Sequence, residues 1–123
     1  YNLDDNIIKI EFCENMKKIY HSLDINILTS KNESFPNVIA EAMMYGTPCI
    51  STDVGEVRKI ISDYGWIINT DVNEFCEKIS EAQLMKKNNP DGWNSLRDNC
   101  KKHIKNNFSL NKMFESFEKG YKN

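Results

Sequence analysis

Glu33 and Glu41 stand with seven residues between them, on either side of Ser34-Phe35-Pro36-Asn37-Val38. Pro36 can open a helix, because its fixed φ and missing N–H are tolerated in the first turn. Gly46 and Pro48 are stop signals, so the spacing predicts a helix over 36–45. Glu33 then lies in the loop before that helix and Glu41 about one turn inside it. Both carboxylates fall near one helix N-terminus, where unpaired N–H groups and partial positive charge suit a phosphate.

Val38, Ile39, Ala40, Ala42, Met43 and Met44 make the helix apolar around most of its circumference, as for a helix packed on a sheet. Glu41 is its one charge, and Asn37, four residues earlier, is the only polar companion on that face. A carboxylate there is costly unless it meets water or accepts hydrogen bonds. One reading is a narrow solvent-facing stripe; the other is a cleft wall where Glu41 accepts hydroxyl hydrogen bonds from a ligand. With Glu33, the Ser-Phe-Pro-Asn loop and the Gly-Thr-Pro exit included, the cleft reading is preferred.

The surrounding elements place this segment. Residues 7–12 read as a strand, 15–22 as a helix with Met16, Ile19 and Tyr20 at helical spacing, and 25–28 as a second strand. After the signature helix come a short strand at 49–51, a short helix at 56–61 and a strand at 66–68. From Asp71 onward the pattern is helical: Asp71 can cap one helix, Asn89-Pro90-Asp91-Gly92 breaks it, and Trp93, Leu96, Cys100 and Ile104 mark the next. Ser109 can cap a last helix carrying Leu110, Met113, Phe114, Phe117 and Tyr121. Strands alternating with helices predict an α/β fold, a Rossmann-like parallel sheet with flanking helices. Ligands of such sheets bind beyond the C-terminal ends of the strands, where the 29–36 and 51–55 loops would lie.

Residues 25–68 resemble the C-terminal half of the large retaining family of nucleotide-sugar glycosyltransferases with the two-domain GT-B architecture. The likeness runs through Ile25-Asn26-Ile27-Leu28-Thr29-Ser30, Glu33, Phe35-Pro36-Asn37-Val38, Glu41-Ala42-Met43, Gly46-Thr47-Pro48, the run from Cys49 to Gly55, and Gly65-Trp66-Ile67-Ile68. Two glutamates at this spacing would mean little without that context. The resemblance implies a UDP-, GDP- or ADP-sugar donor bound in a cleft between two domains, no cofactor and no metal. By resemblance, N–H groups near Asn37 and Val38 stabilise the departing pyrophosphate, Glu41 accepts from the ribose hydroxyls, and Glu33 accepts from hydroxyls of the donor sugar as the catalytic residue. Backbone around Ser34, Phe35 and Pro36 helps to hold that sugar. A metal-binding carboxylate pair is the rival, and is disfavoured because enzymes of this architecture hold pyrophosphate with N–H groups and basic side chains.

The chain also departs from the family. The Arg and Lys that the family supplies to the pyrophosphate, and the acceptor-binding domain, have no counterpart in these residues. Gly55-Glu56 and Lys59 replace the usual Gly-Gly and acidic residue, which weakens any role for 53–59. The expectation is that residues 1–123 form a partial C-terminal donor-binding domain, inactive alone. Residues 109–123 would be a helix that packs on an N-terminal domain, and the acceptor, a glycan or lipid-linked sugar, would bind through that domain. Two alternatives remain: a non-catalytic nucleotide-sugar-binding or regulatory module, and a sugar-nucleotide epimerase. The second ranks last, because His21 and His103 lie outside the signature.

Composition narrows the classes further. With 123 residues, 40% hydrophobic and 28% charged, the chain reads as one ordinary globular domain. Sixteen Lys and Arg against eighteen Asp and Glu leave a net charge of −2, so no basic excess points to nucleic acid. No run approaches the roughly 20 apolar residues of a membrane span, and no signal peptide is visible in Tyr1 to Asp5. The expected location is cytoplasmic. Lys101, Lys102, His103 and Lys105 are read as a solvated face, with peripheral contact at the inner face of the membrane as the lesser possibility. Cys13, Cys49, Cys76 and Cys100 lack metal-type spacing and are expected to be reduced thiols.

Overall fold

A computed structural model describes residues 3–108. In chain order it contains α1 (Met16–Ser22), β1 (Asn26–Leu28), α2 (Asn37–Met44), β2 (Cys49–Thr52), α3 (Val57–Ile61), β3 (Gly65–Ile68), α4 (Val72–Asn88) and α5 (Pro90–Asn107), after a 3-10 turn at Asp4–Asn6. The last helix expected from the sequence lies outside the described residues.

Side chains begin the helices where the sequence supplies caps. Asn15 accepts from the Lys18 N–H at 3.3 Å, and Asp71 accepts from that of Asn73 at 2.8 Å. Asn89 ends α4 and also caps α5, accepting from the Gly92 N–H at 3.0 Å, with Pro90 in the first turn. At the far end of α2, Gly46 adopts φ +81°. Its N–H reaches the Met43 carbonyl and the Thr47 N–H reaches that of Ala42, both at 2.9 Å, the paired closure that a left-handed glycine permits.

The three strands form one parallel sheet in the order β1-β2-β3, with Ile27 opposite Ile50 and Ile50 opposite Trp66. β2 is buried at all four positions, as a central strand covered on both faces must be. The alternation of β1 assigns the two faces. Leu28 packs into the core beside α2, whereas Ile27 borders a groove with Ile79 and Ala82 of α4. Ile39, Met43, Val57, Ile60, Ile61, Cys100 and Ile104 are fully buried and join α2, α3 and α5 in one core. The Rossmann-like α/β arrangement expected from the alternation is therefore present.

The strand expected at 7–12 is not formed. Ile8 and Phe12 are 87% and 80% exposed, and the segment does not pair with β1. An apolar run has local strand propensity, but a strand exists only where a neighbour accepts its hydrogen bonds. The signature helix is one residue shorter at each end than the spacing predicts, with Pro36 as the residue before its first turn. His103, read as a surface residue, is half-buried with Nε2 3.0 Å from the Lys59 carbonyl. All four cysteines are free; Cys49 and Cys100 are buried, and burial pushes both thiols up, Cys100 to about 12.

Candidate functional site

The C-terminal ends of β1, β2 and β3 lead into loops that lie side by side. The Thr52 hydroxyl donates to the Ser30 carbonyl at 2.6 Å, tying the β2 exit to the β1 exit. One step further on, the Glu56 N–H donates to the Ser34 carbonyl at 3.2 Å. Between these links lies an open cleft of about 660 Å³, lined by Lys31, Asn32, Glu33, Ser34, Asp53, Val54 and Gly55. Gly55, at φ +50°, makes the close approach possible: a Cβ there would overlap the Glu33 and Ser34 carbonyl oxygens.

Glu33 is exposed at this cleft, where the Ser30 hydroxyl donates to its Oε1 at 3.0 Å. Ser34 is exposed beside it. Phe35 turns inward and meets the Phe108 ring edge-on at 6.0 Å. Pro36 is buried, and its carbonyl accepts from the Ile39 N–H at 3.0 Å. The Asn37 and Val38 N–H groups therefore begin α2 with no carbonyl of a preceding turn to bind. Val38 is exposed, and the Asn37 Oδ1 is buried with no partner among the described residues.

Glu41 is neither a surface stripe nor part of the lining of the open cleft. It is only 9% exposed. The Tyr20 hydroxyl donates to its Oε2 at 3.1 Å, while Oε1 has no partner among the described residues. Desolvation raises its pKa to about 7, opposed in part by the Tyr20 hydrogen bond. The two glutamates thus hold different stations: Glu33 is exposed at the mouth of the loops, and Glu41 is nearly buried against α1.

Tyr20 is a participant that helical spacing marks only as an apolar residue of α1. The available signal was the need of a lone carboxylate on an apolar helix for a donor. Asp53, in the β2 exit loop, is engaged by Arg58 through Nε at 3.1 Å and Nη2 at 2.9 Å. Among the described residues no group of three or more His, Cys, Asp or Glu is placed to hold a metal, and no helix is long and apolar enough to cross a membrane.

A parallel sheet with helices on both faces, and with its polar loops gathered at the C-terminal edge, defines a Rossmann-like protein. Residues 1–83 match the profile of the family described as "Glycosyl transferases group 1". The chain belongs to the group 1 glycosyl transferases. It is similar to an uncharacterized 41.2 kDa protein in the cps region of Klebsiella pneumoniae, 29% identical over 123 aligned positions that cover 98% of this chain and 30% of that protein. It is 32% identical over 68 positions to an N-acetyl-alpha-D-glucosaminyl L-malate synthase of Bacillus anthracis, covering 54% of this chain and 18% of the relative. An alpha-1,3/1,6-mannosyltransferase, ALG2, of Kluyveromyces lactis is 27% identical over 111 positions, 81% of this chain and 21% of that protein. The chain spans less than a third of the length of these relatives.

Proposed function

We propose that this chain is the donor-binding, C-terminal part of a retaining two-domain glycosyltransferase that moves a sugar from a nucleotide sugar to a glycan or lipid-linked acceptor. The observation that supports this most is Glu41. It is a nearly dry carboxylate with one oxygen held and the other unpartnered, one turn beyond two free helix N–H groups. A buried acceptor without a donor costs about 1–3 kcal/mol. A ligand hydroxyl that displaces the groups covering Oε1 relieves that cost. In this reading the ribose supplies the hydroxyl to Glu41, and the Asn37 and Val38 N–H groups meet the pyrophosphate as its charge grows. Glu33 takes the hydroxyls of the transferred sugar, with backbone around Ser34 to Pro36 beside it.

The test uses the protein that carries this chain, titrated with UDP-, GDP- and ADP-sugars. Glu41→Gln is expected to weaken binding of the cognate donor by about 1.5–3 kcal/mol with the fold retained. Because the ligand selects the ionised carboxylate, wild-type affinity should fall as pH drops through about 7. Glu33→Ala should lower turnover yet leave the affinity for the free nucleoside diphosphate nearly intact. Unchanged donor affinity in Glu41→Gln would sink the assignment. Full donor affinity with no transfer to any acceptor would leave the non-catalytic binding module as the better reading.

A further inference from the structure

We propose that Tyr20 is a positioning residue for Glu41, fixing the carboxylate so that Oε1 is presented to the ribose hydroxyls. The proposal rests on the ribose assignment of Glu41 given above. Tyr20 is 3% exposed and is the only buried residue of α1. Contacts with α2 and with the turn after it hold it in place. Its hydroxyl donates to Glu41 Oε2 at 3.1 Å. Its carbonyl accepts from the Thr47 hydroxyl, fully buried at the exit of α2, at 2.6 Å. Its ring stacks on that of Tyr45 with centroids 6.1 Å apart and planes 16° from parallel.

A seven-residue helix has little stability of its own, so α1 depends on tertiary packing, in which these contacts join those of Met16 and Leu23 with the core. The tyrosine therefore moves with the helix that carries Glu41. A free Glu side chain samples several rotamers, and its terminal torsion is broad. A hydrogen bond to one oxygen from a clamped donor removes most of that freedom and leaves the other oxygen with a set direction. It also places a donor where the ionised carboxylate needs one, since Glu41 has no ion pair among the described residues. Preorganisation of this kind appears as discrimination between ligands, beyond any effect on folding.

The experiment compares UDP, GDP and ADP with their 2′-deoxy and 3′-deoxy counterparts by titration calorimetry, in the protein carrying this chain and in Tyr20→Phe, Glu41→Gln and the double variant. Wild type is expected to prefer one ribonucleotide over its deoxy form by about tenfold or more. Tyr20→Phe and Glu41→Gln should each bring that ratio close to one, and the double variant should lose nothing further. If Glu41→Gln abolishes the preference and Tyr20→Phe keeps the wild-type ratio, Tyr20 is only packing and the proposal fails while the ribose assignment stands. If Glu41→Gln keeps the ratio, the ribose assignment fails and takes the proposal with it. Should Tyr20→Phe not fold, Thr47→Val takes its place, since it loosens the tyrosine backbone and keeps every ring. A ratio within about twofold of wild type would then overturn the proposal.

Discussion

Gly55→Ala is expected to destabilise the chain by roughly 3 kcal/mol and to open the loops around the cleft. Two effects add. At φ +50° a non-glycine residue is strained by about 1 kcal/mol or more. The new methyl would also overlap the Glu33 and Ser34 carbonyl oxygens, which are backbone atoms that cannot swing aside as a flexible side chain would. Relief requires the 30–36 loop to back away from α3, and that breaks the Glu56–Ser34 hydrogen bond. Urea denaturation should report the loss of stability, and amide exchange should rise first at Glu56. A variant with wild-type stability and exchange would mean that the two loops are joined more loosely than their geometry indicates.

Glu41→Gln is expected to stabilise the same chain at pH 8 while it weakens the donor site. The Glu41 carboxyl goes from an ordinary value of 4.5 to about 7 on folding, so the native state binds a proton that the unfolded chain releases. Stability therefore falls as pH rises from about 4.5 to 7, and the full penalty is present above 7. A shift of that size corresponds to about 3 kcal/mol at most. Glutamine is neutral at every pH, and its carbonyl can still accept from Tyr20. The variant should thus exceed wild type at pH 8 and match it closely near pH 4.5. Urea denaturation at both values tests this; an equal difference at the two would show that the carboxylate is not desolvated by the fold.

Much of this arrangement was legible in the chain. Pro36, Gly46 and Pro48 bracket α2 to within a residue, because φ restriction and helix termination are local physics. Asp71 likewise announces α4 through its capping side chain, whereas Asn89-Pro90-Asp91-Gly92, expected only to break the helix, caps and opens α5, which begins already at Pro90. What failed or stayed hidden depends on distant partners. Residues 7–12 have the apolar content of a strand, yet strand formation is decided by a neighbour, and here β1 is not that neighbour. The Tyr20–Glu41 bond spans 21 positions, and nothing in either residue's surroundings names the other. Gly55 reads as an ordinary turn glycine until the loop above it is in place. The pairing of Glu33 and Glu41 is visible in their spacing, whereas their different exposure is not, because it is set by tertiary burial.

The cysteines carry a practical consequence. Alkylating reagents attack the thiolate. Cys76 is exposed and Cys13 half-exposed, whereas Cys49 and Cys100 are sealed in the core with thiols that resist ionisation. Two thiols can therefore be capped in the folded chain, leaving two that become reactive only when β2 or α5 comes away from the core. Mass spectrometry of slow labelling at those two sites would count the openings of the region that supports the candidate site, with no probe added to the protein.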